Sequence, residues 1–399
     1  MKVLFINTVF ERSSTGRIIH DICVRLRQQG HDSMVIYGRY PVQSEFPSMC
    51  FNSKIENILH GVNTRLFDRH GFGPKATTKK IIETIKHYQP DIIHLHNIHG
   101  YYVNIKLLFQ FLKQMDLPVV WTVHDCWPYT GHCVYYDYIG CDKWKTECCQ
   151  CPKKREYPAS YGIDNSKRNY NQKRELFNSI PNLTLVAVSD WLKEQLGMSF
   201  LKHHRIQRIY NGIDQTVFRP IKTDIKKRMG LEGKKVFLAV SDGWSERKGK
   251  NLLYQFTDSL NPDEVLIMVG LSEKDLKSCP KQLLGMGRTE NLQQLVELYS
   301  AADIVLNPSY EETFGMITAE ALSCGTPVIV SNATASPELV NSTCGRIIEK
   351  GNISDLRMTV DLLLENTPTK EQCLNRAKMF NSEIVYQEYI NLYHSLMEE

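Results

Sequence analysis

Two acidic side chains stand out by what surrounds them. Glu312 and Glu320 are separated by seven residues, with Phe314-Gly315-Met316 inside the interval, Pro308-Ser309 before it and Cys324-Gly325-Thr326-Pro327-Val328 behind it. The apolar spacing predicts a helix over 316–324. The start of such a helix, near Phe314, presents free N–H groups and a positive dipole end to an anion. A carboxylate just ahead of that helix and another two turns along it are suited to accept hydrogen bonds from hydroxyl groups. A pair of solvated glutamates on an ordinary amphipathic helix is the competing reading, and the flanking residues weigh against it. Cations for the same chemistry stand in the loop 241–249, which reads Ser-Asp-Gly-Trp-Ser-Glu-Arg-Lys-Gly and carries Arg247 and Lys248. Further upstream, Ser13-Ser14-Thr15-Gly16-Arg17 opens a helix after an apolar run, where a glycine lets the backbone approach a ligand. His124 ends the run Trp121-Thr122-Val123.

These residues have to be held by regular elements. Short β-rich runs at 2–8, 33–38, 91–96, 118–123 and 183–188 alternate with amphipathic stretches at 16–29, 76–88, 103–114 and 169–178. That is the rhythm of a parallel sheet covered by helices. The rhythm restarts with strands at 236–241, 265–270, 304–307 and 327–330 and helices at 249–258, 291–301, 316–324 and 352–365. The fold class expected is therefore α/β, with two doubly wound, Rossmann-like domains facing a central cleft and ligands at the carboxyl ends of the strands. Turn chemistry around Asn211-Gly212 puts the boundary near residue 200. The expected organisation is 1–200, 201–380 and a last helix, 381–399, whose apolar residues pack back toward the first domain.

Composition excludes several classes. With 399 residues, 42% hydrophobic and 23% charged, the chain has room for two ordinary cores. A formal charge of +4, with the basic residues in scattered short groups, is too weak for a nucleic-acid protein. No apolar run approaches the roughly 18 residues of a membrane-spanning helix, and no secretory pattern opens the chain. The expectation is a cytoplasmic protein, with at most peripheral contact at the inner face of a membrane.

The glutamate pair, with Phe-Gly between and Gly-Thr-Pro-Val after, resembles the retaining glycosyltransferases of family 4, which have the GT-B fold. The resemblance implies a nucleotide diphosphate sugar donor. Under it Glu312 holds hydroxyls of the donor sugar, Glu320 takes the ribose hydroxyls, and Phe314, Gly315 and Met316 frame the diphosphate. Arg247 and Lys248 neutralise the leaving group, although Gly243 stands where the family usually has an arginine. Gly16 resembles the family's glycine loop, in which a second glycine is usual. His124 matches a histidine near the reacting carbon. For His94, His96 and His99, strand alternation puts 94 and 96 on one face; no acidic or thiol partner stands out, so they are read as lining the acceptor side rather than as metal ligands.

Six of the twelve cysteines lie between Cys126 and Cys151. Cys133, Cys141, Cys148 and Cys151 form C-x7-C-x6-C-x2-C, whose last pair has knuckle spacing for zinc. A structural zinc and free thiols both remain open on spacing alone. The loop 126–152 resembles a cysteine-bearing insertion found in one branch of the family, as in exopolysaccharide biosynthesis of the colanic-acid type. The expected function is transfer of a sugar, from a UDP-sugar ahead of a GDP-sugar, to a saccharide or lipid-linked acceptor for cell-surface polysaccharide, with no cofactor required for catalysis. The competing readings are a sugar-nucleotide epimerase or phosphorylase on the same fold, and a non-catalytic nucleotide-sugar binding or scaffold protein.

Overall fold

The structure, a computed structural model, describes all residues 1–399. It divides into two compact units, Met1–Tyr210 with Tyr386–Glu399, and Asn211–Val385. The division falls beyond the expected boundary near 200 because one more strand, Arg205–Arg208, joins the first sheet.

The first unit carries seven parallel strands: β1 (Lys2–Asn7), β2 (Asp32–Tyr37), β3 (Ser48–Cys50), β4 (Ile92–Leu95), β5 (Val119–Val123), β6 (Leu183–Ala187) and β7 (Arg205–Arg208). Their order is β3-β2-β1-β4-β5-β6-β7, so the winding reverses between β1 and β4. Both faces of β1 and β5 are buried, which explains why Val3 to Ile6 reads as an unbroken apolar run and Val119 to Val123 as one broken only by Thr122. The helix Ser13–Gln28 lays Ile18, Ile19, Ile22, Cys23 and Leu26 on the sheet, one stripe of a 3.6-residue period.

The second unit repeats the design with β8 (Lys235–Val240), β9 (Glu264–Val269), β10 (Leu283–Met286), β11 (Ile304–Asn307), β12 (Val328–Ser331) and β13 (Gly345–Ile348). The order β10-β9-β8-β11-β12-β13 reverses between β8 and β11. Its core gathers Phe237, Leu253, Phe256, Met268, Leu306 and Leu356.

The helix Ser382–Glu398 carries the chain out of the second unit. Tyr389 and Tyr393, both buried, reach the first sheet, where the Tyr393 hydroxyl meets His94 Nδ1 at 2.6 Å and the Tyr389 hydroxyl meets Thr122 Oγ1 at 3.0 Å. No helix is long and apolar enough to cross a membrane.

Candidate active site

In an open α/β sheet, the loops flanking the reversal of winding form the usual ligand crevice. In the second unit these loops follow β8 and β11, and they carry Arg247, Lys248 and Glu312. Lys248 Nζ donates to Glu312 Oε1 at 2.5 Å, with side-chain exposures of 18% and 10%. Burial alone would raise the Glu312 carboxyl, but the adjacent Lys248 ammonium outweighs it and holds the group below the usual glutamate range. The backbone of Glu312 is pinned as well: Thr334 Oγ1 accepts from its N–H at 2.8 Å and donates to its carbonyl at 2.7 Å. Nothing in the sequence pointed to Thr334, which sits at a φ of 47°.

Arg247 is engaged with the main chain of the neighbouring loop. Its guanidinium donates to the Glu311 carbonyl at 3.0 Å, and its own carbonyl accepts from the Tyr310 N–H at 2.8 Å, so it stitches the two loops together. Gly249 follows at φ 74°, and a Cβ there would stand 2.6 Å from the Pro308 carbonyl oxygen. This close approach requires glycine.

Beyond Glu312 the chain turns at Gly315, φ 108°, into the helix Met316–Ser323, whose first turn no side chain caps. Phe314 is buried, edge-on to Phe380 at 5.6 Å. Glu320 lies on that helix, 5% exposed, and Tyr299 donates its hydroxyl to Glu320 Oε2 at 3.0 Å. Tyr299 was not legible as part of the site. It comes from the helix Leu292–Ala301 and is anchored by Thr326, which donates to its carbonyl at 2.6 Å.

In the first unit, His124 leaves the carboxyl end of β5. Its Nε2 lies 2.9 Å from His96 Nδ1, with the rings stacked at 5.2 Å. Burial lowers its pKa to about 4, so the imidazole is neutral at physiological pH. The next residue, Asp125, bonds His99 Nε2 at 2.8 Å and accepts from the Trp127 N–H at 2.9 Å. Burial pushes this carboxyl upward, but His99 and the backbone donor outweigh it and keep it ionised. The histidine run therefore splits by role. His94 is fully buried and engaged at both nitrogens, by Tyr393 and by Thr122 at 2.8 Å, so it belongs to the core instead of an acceptor-side surface.

Gly16 is buried. It lies in the first turn of the helix Ser13–Gln28, and the space a Cβ would take is already bounded by Glu11 N at 3.0 Å and the Phe10 carbonyl carbon at 3.1 Å. The glycine serves the chain's own turn, while Arg17 is exposed.

The cysteine loop contains three short 3-10 turns, Trp127–Tyr129, Asp137–Ile139 and Lys143–Lys145. All twelve cysteines are free thiols. Cys133, Cys141, Cys148 and Cys151 line one small concavity. In this conformation no three His, Cys, Asp or Glu side chains anywhere in the chain are placed to hold a metal ion. A lysine that the sequence did not single out supports the loop from below. Lys173 is buried, donates to the Trp127 and Thr130 carbonyls at 2.8 and 3.1 Å, and sits 3.4 Å from the Trp127 ring centroid.

Comparison with known proteins is consistent along the whole chain. The family described as Glycosyltransferase Family 4 matches residues 15–217, and the one described as Glycosyl transferases group 1 matches residues 221–380. The putative colanic acid biosynthesis glycosyl transferase WcaC of Escherichia coli K12 is 24% identical over 99% of this chain and 100% of its own. Among solved structures, a sucrose-phosphate synthase from Thermosynechococcus elongatus superposes with a TM-score of 0.73 at 16% identity over 100% of both chains. HepE of Anabaena, solved with UDP, gives 0.70 at 17% identity over 99% of this chain and 100% of its own; its complex with UDP-glucose gives 0.69 at 18% over the same shares. The two parallel-sheet domains are those of the GT-B fold.

Proposed function

Because the chain belongs to glycosyltransferase family 4, we propose that it moves a sugar from a nucleotide diphosphate, UDP ahead of GDP, to a saccharide or lipid-linked acceptor with retention at the anomeric carbon. That it is a glycosyltransferase of glycan biosynthesis follows from the family and its relatives, and sets aside the epimerase, phosphorylase and scaffold readings. The single observation that carries the donor assignment is the Lys248–Glu312 pair, held across the winding reversal beside an uncapped helix start. The ammonium and the first-turn N–H groups of Met316–Ser323 offset charge on the departing diphosphate. Glu312 takes sugar hydroxyls and Glu320, oriented by Tyr299, the ribose hydroxyls. His124 offers a neutral imidazole to a sugar hydroxyl.

In this reading the bond from the anomeric carbon to the phosphate oxygen breaks as the acceptor oxygen bonds the same face, and the acceptor proton passes to the leaving diphosphate. Protein groups position and stabilise charge, and no protein nucleophile is needed. The preference for UDP is supported by the UDP and UDP-glucose complexes of the Anabaena neighbour, and the surface-polysaccharide acceptor by the name of the Escherichia coli relative. The cation role falls to Lys248 rather than to a metal ion. The test is a thermal-shift panel of UDP- and GDP-sugars, followed by NMR of the product's anomeric configuration. Stabilisation by a UDP-sugar and an α-linked product from an α-donor are expected; an inverted product removes the retaining mechanism, and no shift with any nucleotide removes the donor site.

A further inference from the structure

The cysteine loop holds a cluster that sugar transfer does not use. We propose that Cys133, Cys141, Cys148 and Cys151 bind one Zn²⁺ ion as a structural, four-thiolate site that fixes the loop following His124 and Asp125.

The four thiols are connected through space as well as by spacing. Cys151 is hydrogen-bonded to Cys133 and lies beside Cys148, which in turn lies beside Cys141, and all four open onto the same concavity. None is spent in a disulfide. Main-chain donors already address the sulfurs, with the Gly131 N–H directed at Cys148 and the Lys153 N–H, two residues on, at Cys151. Donation of this kind satisfies a metal-bound thiolate, which has spare lone pairs. The knuckle itself is braced: Asp164 accepts from the Cys151 N–H at 2.7 Å, and Lys143 Nζ donates to the Cys149 and Gln150 carbonyls at 3.0 and 3.2 Å.

A second observation comes from His132, which lines the same concavity and is 2% exposed. Its Nδ1 is held by the buried Asp68 carboxylate, while its Nε2 has no hydrogen-bond partner. The imidazole stands beside the sulfurs, close enough to Cys151 to act on it electrostatically, and Lys173 acts likewise on Cys148 and Cys133. Four thiolates on Zn²⁺ carry a net charge of −2, and Lys173 and His132 are the basic side chains beside them.

As the side chains stand, no three of them converge on one point. Neutral thiols gain nothing by meeting at one point; the ion supplies that free energy as four thiol protons leave to solvent and the side chains turn inward. A loop with only three short 3-10 turns has little backbone pairing of its own, so such a clamp has something to stabilise.

The experiment is zinc analysis by inductively coupled plasma mass spectrometry on full-length protein purified reduced and without chelator. One zinc per chain is expected. Cys148→Ser and Cys151→Ser are expected to fall below roughly 0.1 equivalent, whereas Cys279→Ser and His132→Ala keep the metal. Should the serine variants fail to fold, alkylation mapping on wild type replaces them: the four thiols are protected with zinc and exposed once a chelator removes it. Wild type that neither contains zinc nor takes it up, iron in place of zinc, retention after loss of Cys148 or Cys151, or loss on replacing His132 would each overturn the four-thiolate site. None of these readouts depends on sugar transfer.

Discussion

Replacing Lys248 by Met isolates the pair at the centre of the donor site. The Glu312 carboxylate is only 10% exposed, and after the change it keeps Ser309 and the more distant Arg247 charge but no direct cation. Orphaning one member of a buried pair costs about 3–5 kcal/mol, and with Arg247 nearby the lower end, about 3, applies here. For a unit the size of Asn211–Val385, 1 kcal/mol moves the melting temperature by about 2–4 °C, so a fall of about 6–12 °C is expected at pH 7. Differential scanning calorimetry of wild type, Lys248→Met and the double variant with Glu312→Gln separates charge from packing, since the neutral amide should recover most of the loss. Because Lys248 holds the Glu312 pKa below its usual 4.5, the contribution is present above that value and is lost as pH falls through the folded pKa. The variant carboxyl, without its cation, protonates at higher pH, and the gap between the proteins should narrow at pH 4. A variant melting within about 2 °C of wild type at pH 7, or a gap that widens in acid, refutes the argument.

Other expectations concern the same groups. Glu320→Ala should abolish the melting-temperature rise given by a UDP-sugar at saturating concentration, whereas Tyr299→Phe should keep part of it, by thermal-shift titration. His124→Ala should lower kcat by about 10²-fold or more with donor affinity changed much less; since burial holds His124 near a pKa of about 4, the wild-type kcat profile should show no limb from it between pH 5 and 8. Gly249→Ala should cost more than about 1 kcal/mol, because it strains φ 74° and pushes on the Pro308 carbonyl, and urea unfolding reads it directly.

The apolar strands nearest each winding reversal were legible because burial on both faces leaves an unbroken hydrophobic run, as in β1 and β8. The edge strands were not. β7 reads Arg-Ile-Gln-Arg and β13 Gly-Arg-Ile-Ile, and such short, half-polar segments carry no periodic signal. Glu312, Glu320 and Lys248 could be singled out because they sit in dense local motifs. What those motifs cannot carry is partnership across long separations. His94 read as lining the acceptor side, with no sign of Tyr393, 299 residues away, and Glu320 gave no hint of Tyr299. The contacts that Arg247 and Gly16 make with nearby backbone are likewise geometric facts that spacing does not encode. The buried Lys173 looked like one more polar residue on a helix rich in them.

The helix Ser382–Glu398 also has a bearing on how this chain is made. The first sheet carries a His94–Thr122 pair whose hydroxyl partners, Tyr393 and Tyr389, are translated only after the whole of the second unit. On the ribosome, domains generally fold in the order in which they emerge. Here the earlier unit reaches its final form only after the later one, Asn211–Val385, has been synthesised in full. Until that moment His94 and Thr122 lack the tyrosine hydroxyls they bond in the finished fold, for as long as ribosomes take to travel from Tyr210 to Tyr393.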